Sequence, residues 1–216
     1  MPLTKANDIT VKARDILAPF GLSVFGWFVE EDGQRALLVG NIGSSLWPSF
    51  AASKEFHDDE AHSLDRWTVA RMTPIAETLE AEVRFPFGGK IWPFQQYAKL
   101  ATGMQQSPIG LLVHPKFGLW MAFRAVLVVE GEFEIPTAQI GAHPCDSCEG
   151  KPCLSTCPIE AFTDAGYDYK ACKSYVKSSA GTACREGGCL ARQACPIGQD
   201  YTYEKAHQAF HMAAYV

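Results

Sequence analysis

Apolar side chains in the first part of the chain change from helical spacing to strand spacing. They recur every three or four positions over residues 5–20, which predicts an amphipathic helix. Residues 22–29 and 34–42 are rich in strand formers and flank the turn signal Glu31-Asp32-Gly33. This pattern predicts a β-hairpin after the first helix.

The same alternation of periods continues to about residue 140. Helices are predicted over residues 64–79, where Pro74 introduces a kink, and over residues 95–102, which end at Gly103. Strands are predicted at 83–86, 109–114 and 119–129. Helices segregated on an antiparallel sheet define an α+β fold. We therefore expect an α+β domain over residues 1–140, followed by a smaller module over residues 141–216.

Composition and charge narrow the class of protein. Apolar residues make up 47% and charged residues 20% of the 216 positions, as in soluble globular proteins. The net charge of −5 argues against nucleic acid or an acidic membrane surface as partner. The first residues lack the apolar segment of a secretory signal, and the apolar stretch 119–129 is interrupted by Arg124. These features predict a soluble cytoplasmic protein.

All eight cysteines lie between Cys145 and Cys195. In a reducing cytosol, clustered cysteines are more often metal ligands than disulfides. The first group has the spacing C-x2-C-x4-C-x3-C-P, and the second has C-x4-C-x5-C-P, with Cys172 between them. Cysteine runs that end in Cys-Pro are typical of [4Fe–4S] ligands, and eight thiolates suffice for two cubanes.

In two-cluster ferredoxins the fourth cysteine of such a run binds the other cluster. The same logic predicts two crossed ligand sets, which are Cys145, Cys148, Cys153 and Cys195 for one cluster and Cys157, Cys172, Cys184 and Cys189 for the second. Two alternatives remain open. Zinc also uses four cysteines with C-x2-C and C-x4-C spacing, and disulfides would require an oxidising compartment.

The cysteine module resembles the dicluster segment of epoxyqueuosine reductases and of the related reductive dehalogenases. Upstream, the stretch Ser107-Pro-Ile-Gly-Leu-Leu-Val-His-Pro-Lys-Phe-Gly-Leu-Trp120 is similar to the segment that precedes the clusters in epoxyqueuosine reductases. The resemblance implies a nitroreductase-like N-terminal domain with a ferredoxin-like two-cluster module behind it. It also implies a cobalamin on that domain, supplied with electrons by the clusters.

The chain departs from that family in two respects. The family's general-acid aspartate should precede residues 95–103, where this sequence reads Arg84-Phe-Pro-Phe-Gly-Gly-Lys-Ile-Trp-Pro-Phe94 and has no acid. The helical-repeat region that contacts tRNA in the family is also missing. We therefore do not expect an epoxyqueuosine reductase, and no catalytic residue is assigned.

The loop over residues 85–94 has two interpretations. Phe87, Gly88, Gly89 and Trp92 could line a flat cofactor, since paired glycines let a backbone approach it closely. The alternative is an ordered loop packed by its own aromatic side chains.

Three functions follow from these observations. The first is an oxidoreductase-type protein whose two clusters receive electrons from a redox partner protein and feed them to a cofactor or substrate on the N-terminal domain. The second is a ferredoxin-like carrier without catalysis of its own. The third is a zinc-stabilised binding module.

Overall fold

The computed structural model describes residues 4–215 and divides them into two units. Residues 4–103 and 121–141 form one unit, called here the sheet unit, and residues 104–120 and 142–215 form the other, the cysteine unit. The segment 104–120 thus groups with the cysteines, whereas the sequence-based boundary assigns it to the first domain. The roles predicted for the two domains stay predictions.

The sheet unit is built from five helices and four strands among the described residues. In chain order they are α1 (Thr4–Leu17), β1 (Ser23–Val29), β2 (Arg35–Ile42), α2 (Trp47–Ala51), α3 (Lys54–His57), α4 (Ser63–Thr78), β3 (Ala81–Arg84), α5 (Phe94–Thr102) and β6 (Met121–Val129). The strands form one antiparallel sheet in the order β1-β2-β6-β3. The predicted α+β class with an antiparallel sheet is confirmed.

The first helix and the hairpin occur where the sequence predicts them. In the hairpin turn, Glu30 N–H donates to Gln34 O and Gly33 N–H to Glu30 O, both at 2.9 Å. The helix α1 packs on β1, where Trp27 Nε1 donates to Thr10 Oγ1 at 2.8 Å. These contacts fix the turn that carries Glu30, a residue of the site described below.

The helix α5 lies close to β1 because Gly26 has no side chain. A Cβ at Gly26 would overlap the carbonyl oxygen of Ala101. Next to this contact, the Phe28 and Tyr97 rings stack with centroids 4.7 Å apart. The helix ends at Gly103 in the left-handed conformation (φ 70°), as its sequence predicts.

The cysteine unit consists of short elements joined by turns. It contains β4 (Gln105–Gln106), β5 (Leu112–Val113), α6 (Pro152–Ser155), β7 (Phe162–Thr163), β8 (Gly166–Tyr167), α7 (Tyr169–Lys177), α8 (Thr182–Gly187), α9 (Leu190–Gln193) and α10 (Lys205–Tyr215). The predicted strand 109–114 is reduced to β5, which pairs with β4. It does not pair with β6, because the Ser107–Trp120 stretch packs within the cysteine unit and not on the sheet.

This stretch packs directly on the second Cys-Pro ending. A Cβ at Gly118 would overlap the carbonyl oxygen of Ile197, and both Gly118 and Gly198 have positive φ. Glycine is therefore required where the two backbones touch. Among the described residues, no helix is both long and apolar enough to cross a membrane.

Candidate functional site

Four cysteines from four separate segments line one cavity of about 440 Å³ in the cysteine unit. They are the predicted second ligand set, Cys157, Cys172, Cys184 and Cys189. The remaining wall is mainly apolar and includes Ile109, Phe162, Val176 and Leu190. The thiols therefore line a cavity whose wall consists mainly of hydrocarbon and aromatic side chains.

The other four cysteines are neighbours of one another. Cys195, Cys153 and Cys148 lie close enough to Cys145 for their charges to raise the pKa of its thiol. Cys148 raises the pKa of Cys153 and of Cys195 in the same way. Cys153 and Cys195 are buried in an apolar cluster with Ile109, Val113 and Leu119, against which Cys145 packs. The structure thus brings together the same two groups of four that the crossed assignment predicts, while their role as ligands stays a prediction.

Most of these thiols ionise less readily than a free cysteine when no metal is bound. Burial is the largest cause that raises the pKa of Cys145, Cys153, Cys184, Cys189 and Cys195, and neighbouring cysteines raise it further. Since metal ligands must be thiolates, binding of a metal or cluster here would release protons.

Backbone N–H groups are directed at several of the sulfurs. Ala161 N–H donates to Cys157 Sγ at 3.4 Å, and the N–H groups of Ala191 and Arg192 donate to Cys189. The N–H groups of Leu154 and Ile197 do the same for Cys153 and Cys195. Such donors stabilise a thiolate, and hydrogen bonds to sulfur are a feature of iron–sulfur sites.

Each group contains four thiols, the number of ligands that a structural zinc ion and a [4Fe–4S] cluster both use. Within residues 4–215, no three His, Cys, Asp or Glu side chains are arranged to hold one metal ion. A tetrahedral zinc ion holds its sulfur ligands at about 2.3 Å from one point, whereas a cubane offers each thiolate a separate iron corner. Four thiols around a cavity, with N–H donors at sulfur, are the kind of donor set that [4Fe–4S] clusters use.

Two tyrosine side chains, Tyr167 and Tyr215, line the same cavity as Cys172. Tyr167 OH lies 2.7 Å from Tyr215 OH, and Tyr215 OH also donates to Tyr169 O at 3.4 Å. Burial raises the pKa of Tyr215 to about 12 and also raises the pKa of Tyr167. Sequence reasoning missed both residues, because β8 and the end of α10 are 48 positions apart.

Arg192 lies between Cys189 of one predicted ligand set and Cys195 of the other. Its Nε and Nη2 donate to Leu119 O at 3.1 and 2.6 Å, and its guanidinium lies 4.5 Å from the ring centres of Trp120 and Tyr203. It also lines the cavity described above. Arg192 therefore ties the upstream stretch to the loop that presents Cys189 and Cys195.

In the sheet unit, the four residues predicted to line a flat cofactor have different surroundings. Among them, Trp92 lines a cavity of about 620 Å³, whose wall also includes Glu30, Arg84 and Tyr97. Phe87 stacks on Phe85, with ring centres 5.3 Å apart, and a Cβ at Gly88 or Gly89 would meet no atom within 4 Å. Cofactor binding by this loop stays a prediction.

A buried ion pair anchors the same loop. Arg84 pairs with Glu30, and the side chains are only 8% and 9% exposed. The Arg84 guanidinium also donates to Glu82 and Gln34 at 2.8 Å and lies 4.2 Å from the Trp92 ring centre. Arg84, the first residue of the segment 84–94 that contains no acid, is therefore a cation with three polar partners.

Comparisons with known proteins identify the fold. No protein-family model matches the sequence, and no curated protein is significantly similar to it. Among solved structures, the chain is similar to the B12-trafficking protein CblC of C. elegans, a human MMACHC homologue, with a TM-score of 0.56 and 14% identity. The similarity covers 97% of this chain and 92% of that protein.

The chain is also similar to an epoxyqueuosine reductase solved with a tRNA-Tyr stem loop. The TM-score is 0.52 at 14% identity, and the match covers 92% of this chain but 66% of that longer protein. The expected likeness in fold to this class of protein is confirmed. At this level of identity the comparisons show the fold and not the activity.

Proposed function

We propose that the protein is an electron-transfer protein with two [4Fe–4S] clusters, which supply electrons to a cofactor or substrate held by the sheet unit. The observation that carries the proposal is the cavity lined by Cys157, Cys172, Cys184 and Cys189. These residues come from four different segments, so their convergence is a property of the fold. The clusters would supply one-electron chemistry when bound.

The cysteine unit contributes the environment for both clusters. Cys145, Cys148, Cys153 and Cys195 would hold one of them, next to the apolar cluster around Val113 and Leu119. The second set would hold the other in its mainly apolar cavity. Hydrocarbon walls exclude water, and backbone N–H groups at sulfur stabilise the thiolates.

A corrinoid is the cofactor class that we propose for the sheet unit. Support comes from the fold similarity to a B12-trafficking protein, which extends over 97% of this chain. The same fold occurs in an epoxyqueuosine reductase, so both neighbours are compatible with a cobalamin-related or redox role. Since the segment 84–94 contains no acid, the reaction would differ from epoxyqueuosine reduction.

We further propose that an acidic redox protein donates the electrons near helix α7. This helix carries Cys172 together with Lys170, Lys173 and Lys177, in a chain whose net charge is −5. Charge complementarity of this kind raises the rate at which two redox proteins meet.

Anaerobic purification with iron and sulfide quantification tests the clusters directly. About eight irons per chain, with interacting EPR signals after reduction, are expected for two neighbouring cubanes. Stoichiometric zinc in a colourless protein would contradict the proposal and support the zinc-stabilised module.

Paired cysteine variants test the crossed ligand sets. The double variant Cys157→Ser/Cys184→Ser removes two ligands of one proposed set, so about four irons should remain. The double variant Cys153→Ser/Cys157→Ser removes one ligand from each set and should lose both clusters. An uncrossed arrangement would reverse these two results, and each variant serves as the control for the other.

Binding of hydroxocobalamin, followed by its absorption spectrum, tests the cofactor, with FMN as the comparison. Binding of hydroxocobalamin, and electron transfer to it from the reduced clusters, are expected. Reversible cluster reduction without binding of either cofactor would instead identify a simple electron carrier.

A further inference from the structure

Two apolar side chains belong to the surroundings of both cysteine groups. Ile109, which is 5% exposed, lies in the buried apolar cluster around Cys153 and Cys195, and it also lines the cavity of the second ligand set. Phe162 packs against the same apolar cluster and lines the same cavity. The two sites that we propose for clusters therefore have part of their wall in common.

The neighbouring apolar residues differ from these two, because each adjoins only one site. Among the described residues, Val113 and Leu119 are members of the apolar cluster but are not part of the cavity wall. Val176 and Leu190 line the cavity but are not members of the apolar cluster. Contact with both sites is thus a property of particular residues and not of the whole apolar interior.

A tight turn holds Ile109 in this position. Gly110 N–H donates to Ser107 O at 2.9 Å, and Ser107 N–H donates to Leu111 O at 2.7 Å. Pro108 fixes φ at the second position of the turn, and Gly110 has a positive φ of 82°. The backbone that presents Ile109 is therefore constrained on both sides.

A second short hairpin holds Phe162. It pairs with Tyr167 across β7 and β8, and the two rings stack with centroids 5.0 Å apart. Next to this pair, Asp168 N–H donates to Ala161 O at 2.8 Å. The two residues come from separate hairpins, so their placement at both sites is a result of the fold.

We propose that Ile109 and Phe162 form a common wall that keeps water from both clusters and thereby lowers both reduction potentials. The inference rests on the proposed function, since it requires the two clusters. A reduced cluster has one more negative charge than an oxidised one, and an apolar wall deprives that charge of hydration. Exclusion of water therefore disfavours reduction, whichever cluster accepts the electron.

The common wall predicts that the two potentials change together when it is altered. A polar group at Ile109 or Phe162, or the water that it attracts, would lie next to both cysteine groups. It should stabilise the reduced form of both clusters. A polar group at a residue that adjoins only one site should affect only one cluster.

The test is an EPR-monitored redox titration of the anaerobic full-length protein and its matched variants. Ile109→Thr should shift both midpoint potentials to more positive values relative to Ile109→Val, which has the same shape without the hydroxyl. Val176→Thr should raise only the potential of the cluster in the cavity, and Val113→Thr should raise only that of the other cluster. In each comparison a hydroxyl replaces one methyl group of a β-branched side chain.

The double variant Cys157→Ser/Cys184→Ser, which should keep one cluster, assigns the potentials to the two ligand sets. In that background, Ile109→Thr and Val113→Thr should still raise the remaining potential. Val176→Thr should leave it unchanged, because Val176 adjoins the cavity of the lost cluster.

Phe162→Gln tests the other part of the wall, with Phe162→Leu as its apolar control, and should also raise both potentials. It decides the question by itself if Ile109→Thr loses iron. If the polar variants keep about eight irons but raise one potential or neither, the inference is overturned while the proposed function stands. If wild-type protein contains no iron, both are overturned.

Discussion

Arg192 holds the carbonyl oxygen of Leu119 with two N–H groups, from Nε at 3.1 Å and from Nη2 at 2.6 Å. The two residues are 73 positions apart, and Arg192 lies between Cys189 and Cys195. The contact therefore connects the stretch before β6 with the loops that present the cysteines. Its guanidinium also covers the rings of Trp120 and Tyr203.

Replacing Arg192 should destabilise the cysteine unit. Arg192→Met removes both hydrogen bonds and leaves the Leu119 carbonyl without these donors, which should cost about 2 kcal/mol of unfolding free energy. Arg192→Lys should cost less, because a single ammonium keeps one bond but loses the planar fork. Urea unfolding measures both, with Arg14→Lys on the exposed side of α1 as control. A neutral Arg192→Met variant would show that the contact contributes nothing.

Gly118 should not tolerate a side chain. Its φ is +57°, and a Cβ would overlap Ile197 O, so Gly118→Ala should cost more than about 2 kcal/mol. Gly187 is the matched control, because a Cβ there meets no atom within 4 Å and the residue lies in α8. Gly187→Ala should be neutral or slightly stabilising in the same thermal melt. Equal melting temperatures for the two variants would contradict the packing described here.

Removing only one partner of the buried Arg84–Glu30 pair should lower the stability of the protein. Arg84→Met leaves the Glu30 carboxylate buried without its main partner, and about 3 kcal/mol of stability should be lost. Glu82→Gln is the control, since Glu82 also pairs with Arg84 but its side chain is 59% exposed. That variant should cost less than about 1 kcal/mol. The prediction fails if denaturant midpoints place the two variants at the same stability.

Tyr97 should make the fold sensitive to alkaline pH. Burial and then Glu30 raise the pKa of Tyr97 to about 12, above the value of 10.0 expected in the unfolded chain. The folded state therefore keeps the Tyr97 proton up to a higher pH than the unfolded chain does. The stabilisation that results is complete below about pH 10 and is lost as the pH rises towards 12. It amounts to about 3 kcal/mol.

The difference between wild-type protein and Tyr97→Phe isolates this effect. Phenylalanine cannot ionise, so the stability of the variant should fall less steeply across the same interval. Tyr167 and Tyr215, whose pKa values are also raised, contribute equally to both proteins and cancel. Parallel stability curves for the two proteins would rule out a role for Tyr97.

If the clusters are present, their removal should affect one unit selectively. The crossed ligand sets join residues 145–153 to Cys195 and Cys157 to residues 172–189, so neither set forms before both halves meet. After chelation of iron, hydrogen exchange should accelerate over residues 104–120 and 142–215. Strands β2 and β6 should keep their protection, because their sheet and apolar core lie in the other unit. Uniform acceleration across the chain would contradict this.

The hairpin and α5 were predictable because local signals decide them. Glu31-Asp32-Gly33 is a turn between two strand patterns, and Gly103 ends the helix with a left-handed residue. The stretch 109–114 was only partly predictable. Its apolar residues resemble a sheet strand, yet they pack around Cys153 and Cys195, and only Leu112–Val113 pairs as a strand.

The cysteine groups and the polar contacts differ in how far sequence could identify them. Ligand spacing carries chemical information, so the sequence predicts that all eight cysteines are ligands and divides them into two sets, and this stays a prediction. The Tyr167–Tyr215 pair and the Arg84–Glu30 pair join residues 48 and 54 positions apart. No local pattern marks such partners, because any tyrosine or arginine on a surface has the same sequence context.

The sequence by itself determined the α+β class, the position of the hairpin and the concentration of thiols in one quarter of the chain. These depend on periodicity, turn residues and spacing, which are local properties. Only the tertiary structure decided that residues 104–120 join the cysteine unit, that Tyr167 meets Tyr215, and that Arg84 is buried in a pair with Glu30. Those features arise from contacts between distant residues, and their energies depend on burial and geometry that the order of amino acids does not display.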